Sequence, residues 1–132
     1  MTARPAGTWV PPATRLAQHP TACSVVEQLV IRSFGLDLTT LIAERRGRAQ
    51  VAFARQVAIY VTHTHLGLTL TAAAQRFRRD RTTARHACHR VEDSRDDPEV
   101  DRRIEAVEVA LDHWAGILFG AAAASALPED PR

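Results

Sequence analysis

An all-α fold of about six helices, with a helix-turn-helix among them, is what this sequence predicts, on three observations. Apolar residues recur at three- and four-residue spacing along most of the 132 residues, the period of one helix face. A short stripe and a longer one are joined by a tight basic turn at Arg78-Arg79. Two helix starts are marked by their chemistry: Asp80 opens one, and Asp97-Pro98 opens another with an N-cap followed by proline at the first helical position. There is no long apolar run and no secretory pattern, so the expectation is one soluble, cytoplasmic domain with a modest core and no membrane contact.

Residues 1–20 hold four of the seven prolines and no apolar period, and read as a flexible N-terminal arm in which Trp9 is the one anchor-sized side chain. A helical domain over 21–126 and a tail over 127–132 complete the division. The first helix should cover 22–34, because Ala22, Val25, Val26, Leu29 and Val30 form one stripe and Gly35 can stop it. A short helix is expected near 39–44. After a basic loop, Arg45-Arg46-Gly47-Arg48, a third helix carries Ala54, Val57, Ala58 and Val61 on one face and ends near Leu66-Gly67. Residues 70–77 make a short fourth helix and 81–93 a fifth. The sixth opens at Pro98 and carries a seam of Ile104, Val107, Leu111, Trp114, Leu118 and Ala121, with Val109, Ile117 and Phe119 off it.

Charge narrows the function. All 17 basic residues are Arg, which removes a P-loop lysine and the usual Schiff-base amine, so the chain is read as a non-enzyme with no cofactor. The net charge of +2 conceals a split: residues 1–90 hold 13 Arg against four acids, whereas residues 91–132 hold four Arg against 11 acids. A basic body with an acidic last helix implies a polyanionic partner and positive charge placed on one surface. Cys23 and Cys88 have no CxxC partner and fall inside apolar patterns, which suits reduced, buried thiols.

The basic turn leads into the most informative segment. Asp80 at an N-cap accepts from unpaired backbone N–H groups, while Arg81, Thr82, Arg85 and His86 repeat at the one, three and four spacing of a single face. Such a face can read base edges and phosphates together. Helix, turn and helix over 70–93 also occur in all-helical domains that bind no nucleic acid; the Arg residues at both ends of the turn favour double-stranded DNA as the partner.

At these residues the chain resembles the C-terminal DNA-binding domain of the bacterial replication initiator DnaA, here as a stand-alone protein without the ATPase module. The resemblance rests on Arg55-Gln56, on residues 70–77, and on Arg79-Asp80-Arg81-Thr82-Thr83 with His86-Ala87, and it covers about residues 22–110. Arg45, Arg46 and Arg48 match the family's basic loop. It implies a Trp-repressor-like domain whose recognition helix enters the major groove while the basic loop enters the adjacent minor groove. Arg55 and Gln56, expected near a helix N-terminus, would hold a phosphate, with His63 as a phosphate neighbour. Three departures stand out: Arg81 replaces the family's recognition histidine, Thr71 replaces an early proline, and the turn is one residue shorter, with Arg78-Arg79 where glycine is usual.

Histidines at 86 and 89 flank Cys88, and His63 and His65 lie upstream, but no second paired motif completes a tetrahedral metal site, so no metal is expected. The seam through Leu111, Trp114 and Leu118 extends past the region of resemblance and is a candidate partner interface, for a weak homodimer or for another protein. Two functions follow. One is a nucleoid-associated regulator that modulates replication initiation or transcription; the other is an interaction module that contacts replication-initiation proteins with little or no DNA binding.

Overall fold

The computed structural model describes residues 12–36 and 45–120, the side chains of 45–48 and 120 excepted. Trp9, the helix expected near 39–44, Ala121 and the tail at 127–132 lie outside the described residues. In chain order the elements are α1 (Pro12–Arg15) with a 3₁₀ turn (Leu16–Gln18), α2 (Ala22–Ser33), α3 (Arg45–Thr64), α4 (Leu70–Arg76), α5 (Arg81–Ser94), α6 (Pro98–Ala115) and a π-helical turn (Gly116–Gly120). Six α-helices and no strand make up the described residues, an all-α fold as expected.

α3 is the axis of the domain. Val57, Ala58, Ile59, Tyr60, Val61 and Thr62 are buried in succession, which requires neighbours on every side of a helix. The stripe read from sequence is only its most regular face. α2 and α5 supply most of those neighbours, through Val26 and Val30 on one side and Ala84, Ala87 and Val91 on the other. α6 closes over α2 with Ile104, Val107 and Leu111, all fully buried. Each such aliphatic side chain contributes about 1.5–3 kcal/mol relative to exposure.

Helix ends follow local chemistry. Gly35, at φ +69°, takes the left-handed position after α2, and the N–H of Leu36 donates back to Ile31 O at 2.9 Å. The Asp97 carboxylate accepts from Glu99 N at 2.9 Å, with Pro98 in the first turn of α6. Two polar ties then fix α6. Arg103 donates to Ser33 O at 3.0 Å while Ser33 Oγ donates to Arg103 O at 2.6 Å. Arg95, just after α5, reaches Asp101 at 2.6 Å, Glu108 at 3.1 Å and the Tyr60 hydroxyl at 3.3 Å. Burial opposes the Arg95 charge, but its bonds to Glu108, Asp101 and Tyr60 outweigh that and push its pKa up.

Four expectations need correcting. Residues 12–20 are not a free arm: Leu16 is fully buried, Ala13 and Ala17 are buried, and Arg76 donates to Ala17 O at 2.9 Å. Pro12 sits at the first helical position, where its missing N–H is harmless, so proline content there favours a helix start. The basic loop is also absent, because α3 begins at Arg45 and takes Arg45, Arg46, Gly47 and Arg48 into its first turns. Only Gly47 opposes a helix there, by about 1 kcal/mol relative to Ala. The two thiols are half-buried rather than buried, and burial, reinforced by Glu92, pushes the Cys88 thiol up. Finally, the interface seam is mostly core: Leu111 is fully buried, Trp114 is half-buried with its ring 5.0 Å from His19, and only Leu118, at 42 % exposure, faces solvent.

Candidate nucleic-acid interface

Between residues 45 and 91 the chain holds ten Arg and a single acid, Asp80. The fold places the centre of that charge on α4 and α5. Thr69 caps α4 by accepting from Ala72 N at 3.0 Å, and α4 packs on α5 through the buried Ala73, Ala74 and Phe77. Alanines at these positions let the helices approach closely, which sets the opposite side of α5 outward.

The turn between them is a complete left-handed cap. Arg78 N donates to Gln75 O at 3.1 Å and Arg79 N to Ala74 O at 2.8 Å, with Arg78 at φ +58°. Arg78 is the one non-glycine residue at positive φ among the described residues, in the position where glycine is ordinarily found. Two residues, Arg78 and Arg79, separate the C-cap Phe77 of α4 from the N-cap Asp80 of α5. Asp80 Oδ1 accepts from Thr83 N at 2.7 Å, and this backbone bond holds its carboxyl below the usual Asp value. Asp80 therefore positions the first turn of α5.

α5 has two faces. Ala84, Ala87 and Val91 are buried, while Arg81, Thr82, Thr83, Arg85, His86, His89 and Arg90 are exposed. Arg81, Thr82, Arg85, His86 and His89 together line one shallow depression in the surface. From Arg81 to His89 that surface runs about 12 Å along the axis, the length of three to four base-pair steps. Arg79 is exposed beside it, and Arg90 lies 5.4 Å over the Phe53 ring. Thus the structure brings together Arg79, Arg81, Thr82, Thr83, Arg85 and His86. It adds His89 and Arg90, whose three- and four-residue offsets from His86 and Arg85 were the signal that could have found them.

The α3 residues are arranged differently. Arg55 is exposed, but with α3 starting at Arg45 it lies about 15 Å from the helix N-terminus, so any phosphate it meets gains nothing from the helix dipole. Gln56 is half-buried, with its Oε1 buried and unpaired. His63 is half-buried and its Nδ1–H donates to Leu68 O at 2.6 Å, pinning the turn into α4. His65 is engaged elsewhere, 2.9 Å from Asp112 on α6. Among the described residues no three His, Cys, Asp or Glu side chains gather as metal ligands, and no helix is long and apolar enough to cross a membrane.

The family model described as bacterial dnaA protein helix-turn-helix matches residues 23–91, from the start of α2 to the last buried residue of α5. No curated protein and no solved structure matches the chain.

Proposed function

The chain belongs to the helix-turn-helix family of the bacterial dnaA protein, and from that premise we propose that it is a nucleoid-associated regulator. It occupies short double-stranded DNA sites and so modulates replication initiation or transcription. The observation that carries this reading is the two-faced α5, with Ala84, Ala87 and Val91 inward and Arg81, Thr82, Arg85 and His86 outward. In this arrangement α5 lies in the major groove. Arg81, in its first turn, pairs bidentately with guanine O6 and N7, Thr82 meets a base edge, and Arg79, Thr83, Arg85 and His86 hold phosphates. Arg45, Arg46 and Arg48, at the start of α3, reach the adjacent minor groove, whose negative potential favours Arg, and Arg55 holds a backbone phosphate.

Fluorescence anisotropy across salt concentrations tests the assignment. Each phosphate contact adds about 0.9 to the log–log salt slope, so Arg55→Ala should flatten the slope by that amount and weaken all sequences alike. Arg81→Ala should cost about 1–3 kcal/mol on the best site and relax selection at one position. Absence of binding to any duplex at low salt overturns the proposal.

One observation favours the second reading, an interaction module that contacts replication-initiation proteins. Val109 on α6 and Ile117 and Leu118 in the turn after it are large apolar side chains left exposed, at 48 %, 79 % and 42 %. With Leu111 buried and Trp114 half-buried, Ile117 and Leu118 are the candidate partner contacts. Ile117→Glu should abolish capture of such a partner while leaving DNA binding intact.

A further inference from the structure

The reading face of α5 carries two histidines among its arginines. His86 and His89 are three residues apart, both exposed, and line the same depression as Arg81, Thr82 and Arg85. An imidazole there has two options against a phosphate: neutral, it offers one N–H donor; protonated, it adds a full charge to an already cationic surface. A polyanion shifts that choice toward the charged form, and by linkage whatever promotes protonation promotes binding.

We propose that His89 is a further DNA contact and that His86 and His89 together make DNA affinity proton-linked, so that the complex takes up protons as it forms and tightens as pH falls through the neutral range. This rests on the reading of α5 as the DNA-facing helix.

The surroundings favour such a device. Along α5, His86 and His89 have Arg81, Arg85 and Arg90 as neighbours, and the nearest acids, Glu92 and Asp93, stand one turn on from His89 but make no ion pair with either ring within 4 Å. From α4 and the turn, the charged groups are Arg78, Arg79 and Asp80, the last committed to Thr83 N, while Arg76 is turned away to Ala17 O. From α3 they are Arg55 and His63, the latter bonded to Leu68 O. In the complex the phosphates neutralise the arginines and supply an acceptor for a charged ring. The linkage therefore appears on DNA binding.

The experiment measures duplex affinity of the full chain by anisotropy at pH 6 and pH 8, each across a salt series. The wild-type chain should bind more tightly at pH 6, by about tenfold or more. Its log–log salt slope should be steeper there by up to about 1.8, two added phosphate contacts. His86→Gln with His89→Gln should lose most of the pH dependence and stay at the weak level, whereas His86→Arg with His89→Arg should stay at the tight level at both pH values. Both positions are exposed, and circular dichroism of the variants checks that they are folded. His89→Gln alone should remove about half of the effect, and an unchanged response in that variant overturns the contact assigned to His89. Binding by the wild-type chain that does not vary with pH, or a full response retained in the double Gln variant, overturns the inference and leaves the DNA-binding reading standing. No binding at either pH overturns both.

Discussion

Arg78 holds a conformation that costs an L-residue about 1–2 kcal/mol, and its side chain is exposed, so nothing but charge recommends arginine there. Arg78→Gly keeps both cap bonds and relieves the strain, offset in part by the extra freedom of glycine in the unfolded chain. A net gain of about 1 kcal/mol and a melting temperature roughly 4 °C higher are expected in a thermal melt. Asp80 gives a pH-dependent counterpart. Its carboxyl titrates lower in the fold than in the unfolded chain because Thr83 N–H binds the charged form. The cap thus stabilises fully above the ordinary Asp value, and that contribution disappears as pH falls through the lowered one. Asp80→Asn, an equally good N-cap residue, should match the wild type at neutral pH and lose less stability in melts taken below pH 4. Both residues were legible from sequence, Asp80 as a cap and Arg78 as an arginine where glycine is usual. The bond of His63 to Leu68 O and the half-burial of Gln56 were not, because each depends on how the rest of the chain packs around α3.

At the scale of elements, α5 and its turn were readable because their signals are local: a cap residue, an apolar repeat and a run of charge. The start of α3 was misread because basic residues after a break suggest a loop, although Arg, Ala and Gln are good helix formers and outweigh one glycine. The last helix shows what periodicity alone leaves open. Ile104, Val107 and Leu111 of its seam are buried in the core, but a seam has the same appearance whether it faces the chain's own core or a partner. What distinguishes them is the tie at Arg95, which spans the α5–α6 connection and reaches Tyr60 on α3. The Glu108 side chain is only 20 % exposed, so removing its cation leaves a partly buried carboxylate unpaired. Arg95→Met should cost about 1–2 kcal/mol in urea unfolding, less than for a fully buried pair because Asp101 remains half in water. An unchanged midpoint would show that α6 is held by its apolar seam alone.

For the molecule as a whole, the charge division read from sequence persists. Asp101 and Glu108 are engaged by Arg95 and Glu99 by Arg102 and Arg103, all within the acidic half, and Asp112 is paired across the divide by His65. The largest departure from the sequence reading is the first segment, now part of the core. Leu16 is completely enclosed, so Leu16→Ala should cost about 2–4 kcal/mol in denaturant titrations, a loss no free arm could produce. The same segment shapes how the protein assembles itself. His19 meets Trp114, and the Arg15 guanidinium lies 4.4 Å from the Phe119 ring, so these contacts join residues about a hundred positions apart. Closing a loop of that length carries the largest entropic penalty in the chain, whereas α4, α5 and their turn assemble from neighbours. Folding should therefore begin around α3, α4 and α5 and finish when residues 12–20 dock on α6, and their amides should exchange with deuterium well before those of α3. A nascent chain has α5 in place before residues 12–20 have met α6.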